Sequence, residues 1–261
     1  MAPHSQKLKI ALVQSPLHWE DPLANREMFQ KKIMQIPDEV DLIVLPEMFT
    51  TGFTMEPQNI AHPEGKDTVA WMQKLAKQKQ AALTGSLVYH EDNRYFNRLF
   101  FVFPDGDVRT YDKKHTFSLA GEDLVYEAGT QKLFVAYKGF KICPMICYDL
   151  RFPVWARNVE DYDALIYVAN WPKPRISAWD TLLQARAIEN MAYTIGVNRI
   201  GLDGLEYEYT GHSAVYDTLG KAMAYSESEE ILYATLDKKH IETARGKLRF
   251  LEDRDQFTLL G

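Results

Sequence analysis

The stretch Lys138-Gly-Phe-Lys-Ile-Cys-Pro-Met-Ile-Cys-Tyr-Asp-Leu-Arg-Phe-Pro153 decides how the chain reads. An apolar, strand-like run ends at Cys147, and Pro153 opens a helix, since proline is tolerated at the first helical position. A thiol at such a strand-to-helix corner faces out over a sheet, with the amide of Tyr148 free to donate beside it. That is how a nucleophile with a built-in oxyanion donor is presented. The alternative is a buried structural cysteine, the commoner fate of a lone thiol.

Outward from this stretch, strands alternate with helices, which defines an α/β protein. Strands are expected at Lys9–Gln14, Asp41–Pro46, Ala81–Tyr89, Leu133–Tyr137, Phe140–Ile146, Ala164–Val168, Thr194–Ile200, Ser213–Asp217 and Ile231–Leu236. A hairpin pairs Asn97–Phe103 with Val108–Tyr111 around Pro104-Asp105-Gly106, a strong turn signal. Helices are expected from Asp21-Pro22 (N-cap, then first turn) to about Ile36, from about Asp67 to Gln80, briefly after Pro153, and over Ile176–Tyr193. In the last of these Trp179, Leu182, Leu183, Ala187 and Met191 share one face. Phe117–Gly129 reads as an irregular loop, and the tail from about Lys238 as charged and partly helical. No linker or repeat divides the 261 residues, so a single domain over 1–261 is expected.

Composition narrows the function. Apolar content of 46% and charged content of 25% are those of a globular protein. A formal charge of −6 argues against a nucleic-acid footprint, and no basic run suggests a membrane surface. Met1–Lys7 is short and polar, unlike a signal peptide, and no stretch reaches transmembrane length, so a cytoplasmic location is expected. The two cysteines, Cys143 and Cys147, lie about 13 Å apart if they share a strand, too far to bridge. Cys143 is then a small core residue. The seven histidines form no metal-ligand spacing with Cys or carboxylates, so no metal and no cofactor are expected.

Glu47, Lys113 and Cys147 share a placement: each stands at or just past the C-terminal end of an expected strand, where ligands of α/β sheets gather. Their combined chemistry is definite. A thiol is a poor nucleophile until ionised. A carboxylate in a dry pocket can take its proton, and an ammonium stabilises thiolate and tetrahedral oxyanion. The sum is amide hydrolysis through a thioester, without histidine.

Leu-Pro-Glu47-Met-Phe, Tyr-Asp-Lys113-Lys-His-Thr-Phe and Ile-Cys147-Tyr-Asp-Leu-Arg-Phe-Pro resemble, in order, the three signature blocks of the nitrilase superfamily of carbon–nitrogen hydrolases. Gln-Ala-Arg186-Ala-Ile-Glu189-Asn-Met-Ala-Tyr, Asn198-Arg199 and Gly211-His212-Ser213 match further family positions, so the resemblance spans nearly the whole chain. Cys-Tyr-Asp-Leu-Arg-Phe-Pro-Val-Trp and Asn-Trp-Pro are similar to the omega-amidase branch in its short bacterial form.

The resemblance implies a four-layer α-β-β-α sandwich and a homodimer made through helices near the nucleophile and the C-terminal tail. It implies Glu47 as general base, Lys113 as oxyanion-stabilising lysine and Cys147 as nucleophile. His115 fixes the register that selects Lys113 over Lys114. Glu122, in the irregular loop, resembles the family's second active-site glutamate. The family often has Leu where this chain has Thr116, a departure expected to bear on the pocket wall and to leave the triad intact. The branch implies hydrolysis of omega-amides of short dicarboxylic 2-oxo acids such as alpha-ketoglutaramate or alpha-ketosuccinamate. Another small acid amide, deaminated glutathione included, is the alternative within the fold. Outside it stand a non-catalytic interaction protein and a thiol redox sensor using Cys147 with Cys143.

The other polar residues read as structural. His115 and His212 are loop histidines, Asp149 and Arg151 hold the elbow, and Arg186 with Glu189 form an ion pair one helical turn apart. Trp171 either lines the pocket or fills the core. Arg175 either grips a substrate carboxylate with its planar fork or stands on the surface.

Overall fold

The computed structural model describes residues 6–259. The reading of the extreme N-terminus rests mainly on residues 1–5, which lie outside that range. In chain order the elements are β1 (Lys7–Gln14), α1 (Pro22–Gln35), β2 (Leu42–Val44), α2 (Glu64–Lys79), β3 (Ala82–Glu91), β4 (Arg94–Val102), β5 (Val108–Asp112), β6 (Val135–Tyr137) and β7 (Phe140–Ile146). Then come α3 (Pro153–Ala156), β8 (Ala164–Ala169), α4 (Ile176–Asn190), β9 (Tyr193–Asn198), β10 (Ile200–Leu202), β11 (Glu208–Thr210), β12 (Ser213–Tyr216), β13 (Ala222–Ser226), β14 (Glu230–Asp237) and α5 (Lys238–Leu248).

Two six-stranded sheets run β14-β1-β2-β3-β4-β5 and β13-β12-β9-β8-β7-β6. Each has a parallel core, β1-β2-β3 in one and β7-β8-β9 in the other, flanked by antiparallel strands. Alternation along the strands sorts the side chains into layers. Leu8, Ile10 and Leu12 of β1 join Ile142, Ile146 and Ile166 of the other sheet in one core between the sheets. Ala11 and Val13 point the opposite way, into a second core with Phe29 and Ile33 of α1 and Met72 and Leu75 of α2. Trp179, Leu183 and Ala187 of α4 are fully buried, and a Cβ on Gly196 of β9 would run into Leu183 and Trp179, which shows how closely α4 lies on the second sheet. The order is α-β-β-α, as the family resemblance implies. Among the described residues no helix is long and apolar enough to cross a membrane.

Several boundaries differ from those expected. Helix α2 starts at Glu64, with Pro63 as N-cap and both Glu64 and Asp67 in its first turn. Strand β3 runs on to Glu91 and turns through Asp92 and Asn93, both at positive φ (49° and 59°), into β4 at Arg94. This hairpin end carries exposed polar residues with no apolar alternation to betray it. The expected strand Thr194–Ile200 divides: β9 ends at Asn198, and β10 pairs with β11 as a separate two-stranded hairpin. Strand β13 is exposed along most of its length, which hides it from a hydrophobicity reading.

Candidate active site

Each of the reactive side chains is aimed by a local break in regular structure. Strand β2 ends at Val44, and Leu45 N still reaches Thr84 O (2.8 Å). Met48 then adopts φ 42°, with its amide held by Ser86 Oγ at 2.9 Å, and this turn sends Glu47 inward. Cys147 follows the last residue of β7 at φ 42°, a left-handed conformation that costs a non-glycine residue energy and persists only where its surroundings enforce it. Asp149 does the enforcing. Its Oδ2 accepts from Ile146 N (3.0 Å) and Tyr111 Oη (2.7 Å), and its Oδ1 from His115 N (3.0 Å) and Nδ1 (2.8 Å). His115 stacks on Phe152 at 3.7 Å, and Arg186 Nη2 donates to Leu150 O at 2.6 Å, supporting the elbow from α4.

Lys113 is the residue after β5. Its amide donates to Asn97 O (3.0 Å), and its carbonyl accepts from Gly129 N (2.8 Å). A Cβ on Gly129 would sit 2.1 Å from Asp112 O, so only glycine lets the loop 117–129 fold back against β5. That loop delivers Glu122, one residue after Gly121 at φ 75°.

The result is a buried cluster, with Glu47 and Glu122 at 0% exposure, Lys113 at 1% and Cys147 at 9%. Lys113 Nζ donates to Glu47 Oε1 (2.8 Å) and to both oxygens of Glu122 (3.0 and 2.8 Å). Glu47 Oε2 accepts from Asn170 N at 2.8 Å, and Asn170 Nδ2 donates to the Glu47 carbonyl at 2.7 Å. Cys147 Sγ lies 3.9 Å from Asn170 O.

The electrostatics follow from burial and these contacts. Burial and then the Glu47 charge push the Cys147 thiol well above its usual range, with Lys113 only partly opposing them. The resting nucleophile is therefore a neutral thiol. Burial pulls on Lys113 in the direction of neutrality, but Glu122, Glu47 and Cys147 outweigh it and hold the ammonium charged. Burial raises Glu122, with Lys113 opposing and Glu47 reinforcing the rise.

A pocket of about 260 Å³ opens onto Cys147 and Lys113. Phe53, Phe117, Tyr148 and Trp171 form apolar walls, and Leu205, Tyr207 and Tyr209 of the β10–β11 hairpin reach its mouth. Besides Lys113, two arginines line it. The Arg151 guanidinium lies 5.0 Å from the Trp171 ring centre, and that of Arg175 lies 5.0 Å from the Phe117 ring centre. Neither forms an ion pair with a carboxylate among the described residues. Asp203, also at the pocket, is taken up by its own hairpin, accepting from Leu205 N, Tyr207 N and Tyr209 Oη at 2.8, 3.0 and 2.9 Å.

The structure thus brings together Glu47, Lys113, Glu122, Cys147, Tyr148, Trp171 and Arg175. Trp171 does both things expected of it, lining the pocket while only 3% exposed within the core. Arg151 departs from expectation: of the two residues expected to hold the elbow only Asp149 does so, and Arg151 lines the pocket. Arg186 and Glu189 pair at 2.9 Å, and His212 Nδ1 meets Asp180 Oδ2 at 2.9 Å, away from the pocket. Cys143 is fully buried, and both thiols are free. Two contributors escaped the sequence reading: Asn170, whose only signal was its place at the end of an apolar strand, and Asn97, which sits inside a strand and carried none.

The fold and this cluster define a hydrolase built on a buried cysteine, lysine and paired glutamates. The carbon–nitrogen hydrolase family model matches residues 9–246, and the chain belongs to that family, whose members hydrolyse carbon–nitrogen bonds such as those of amides. It is similar to omega-amidase YafV of Escherichia coli K12, at 43% identity over 97% of this chain and 98% of that one. It is 30% identical to the 2-oxoglutaramate amidase of Bacillus subtilis, over 95% and 97% of the two chains. Among solved structures, a CN-hydrolase superfamily protein from Xanthomonas campestris, with an arsenic adduct in its active site, matches with a TM-score of 0.94 at 41% identity, covering 97% of this chain and 99% of that one.

Proposed function

We propose that the protein is an omega-amidase releasing ammonia from the terminal amide of short dicarboxylic acids, with 2-oxo acid amides such as alpha-ketoglutaramate and alpha-ketosuccinamate as the preferred class. The observation that carries this reading is the pair of unpaired guanidiniums beside the nucleophile. Behind Cys147, Glu47 and Glu122 outnumber Lys113 by one charge, which alone would repel an anionic substrate. Arg151 and Arg175 reverse that sign in front of it, where a planar fork suits a carboxylate. The activities of the Escherichia coli and Bacillus subtilis relatives support the same class.

The chemistry follows from the contacts. Glu47 takes the proton of the neutral thiol as sulfur attacks the amide carbon. The oxyanion lies between the Lys113 ammonium and the amide of Tyr148, one of the first amides of the helical turn 147–151, which lack acceptors within the turn. Glu47 returns the proton to the departing ammonia, leaving a thioester on Cys147. A water then gives its proton to Glu47 and attacks the thioester, releasing the acid and restoring the thiol. Glu122 keeps Lys113 in place throughout. In the homodimer implied by the family, Val154 of α3 and Ile188 of α4, each about half exposed in the single chain, would lie in the interface.

Ammonia release from alpha-ketoglutaramate and from a neutral aliphatic amide of similar length tests the reading. Strong preference for the acid amide is expected; equal turnover of both would remove the carboxylate requirement and with it this assignment.

A further inference from the structure

Asn97, in β4, has no part in the chemistry above, yet it is 1% exposed and touches both glutamates. Its Nδ2 donates to Glu47 Oε1 at 2.8 Å and to Glu122 Oε1 at 3.1 Å. Lys113 Nζ donates to the same two oxygens at 2.8 and 3.0 Å. The four atoms close a ring in which two donors alternate with two acceptors.

The other end of the amide shows which half matters. Asn97 Oδ1 is buried with no hydrogen-bond partner among the described residues. A buried, unpaired acceptor is unfavourable, so nothing on the oxygen side fixes this orientation. The flipped amide would set its oxygen against two carboxylates. The side chain is held by its two N–H groups alone, one for each glutamate.

Two buried carboxylates sharing one ammonium favour trapping a proton between them. Lys113 already spends two of its three N–H groups on Glu122. A Glu47 that held such a proton could not accept the one from Cys147. We propose that Asn97 is a positioning residue that keeps Glu47 ionised and its Oε1 turned into the ring, leaving Oε2 toward Asn170 and the nucleophile. The titratable groups facing the ring are Glu47, Lys113, Glu122 and Cys147, with the Tyr126 phenol next to them and Glu20 beyond it.

The proposal rests on the amidase reading only in making Glu47 the base, and it can be tested without amide hydrolysis. Alkylation of Cys147 by iodoacetamide forms the sulfur–carbon bond, expels iodide and delivers the thiol proton to Glu47. Its rate is measured against pH by mass spectrometry for wild type, Asn97→Leu and Asn97→Ser. The acid-side midpoint is expected to rise by about one pH unit in Asn97→Leu, the effect of losing one hydrogen bond to a charged group. On the acid limb, below the wild-type midpoint, the rate then falls by up to about tenfold, and it recovers as pH rises. Serine, with a single donor, gives a smaller shift in the same direction, which also serves if the leucine variant does not fold. An unmoved midpoint in the folded variants, with the rate lowered equally at every pH or not at all, would overturn the proposal. A shifted midpoint in a protein that hydrolyses no amide would overturn the amidase reading alone.

Discussion

Replacing Asp149 by asparagine changes one atom and should disable the elbow. The wild-type carboxylate is fully buried and accepts four hydrogen bonds, from Ile146 N, Tyr111 Oη, His115 N and His115 Nδ1. An asparagine oxygen can keep the donors on one side, but its NH2 then faces two donors on the other. A hydrogen bond to a charged acceptor is worth about 1.5–3 kcal/mol, so losing two destabilises by about 3–6 kcal/mol. At about 2–4 °C per kcal/mol for a domain of this size, the melting temperature should fall by about 6–24 °C. With Ile146 N released, nothing pins Cys147 at positive φ, so activity should also fall at temperatures where the variant is folded. The assays are thermal unfolding by circular dichroism and single-turnover acylation at 20 °C. A melting temperature within 2 °C of wild type, with acylation unchanged, would refute the claim that Asp149 holds the strained turn.

Other expectations are narrower. Arg151→Met and Arg175→Met should each lower kcat/KM on acid amides by about 10-fold or more, the value of a charge-assisted contact, while leaving turnover of a neutral amide within about twofold; equal losses on both would place the arginines outside carboxylate recognition. Cys143→Ser should keep activity and lose about 1–3 kcal/mol of stability by burying an unpaired hydroxyl, because Cys143 is core; loss of peroxide sensitivity together with activity would favour a redox pair instead. Burial is the first cause holding the phenols of Tyr111, Tyr126, Tyr162 and Tyr167 well above the ordinary tyrosine pKa of about 10. Above pH 10 the unfolded chain therefore releases protons that the folded one retains, and stability falls as pH rises. The denaturant midpoint should drop steeply between pH 10 and 11, and a flat profile there would contradict their burial.

The readable and unreadable parts of this molecule differ for physical reasons. Glu47 and Cys147 stood out because each interrupts an apolar run at a strand end, where a polar group must have a purpose. Lys113 was legible only through its block, since a lone lysine after Tyr-Asp has no distinguishing environment. The layers followed from alternation and helical periodicity. Arg151 was misread because a five-residue 3-10 turn separates neighbours by angles that no period predicts, sending Asp149 under the elbow and Arg151 over it. Asn97 was invisible because its importance lies in three partners, 50, 16 and 25 residues away in sequence, that meet only in the folded state. The β10–β11 hairpin escaped because its exposed Leu205 and Tyr207 follow the pocket mouth rather than a buried face.

The most direct test of the central claim is ammonia release by wild type and Cys147→Ala on a panel of alpha-ketoglutaramate, succinamate, glutaramate, deaminated glutathione and a neutral aliphatic amide. Turnover is expected to be concentrated on the short omega-amides and abolished in the variant. Comparable rates in Cys147→Ala, or no ammonia from any short omega-amide with the wild-type protein, would contradict it.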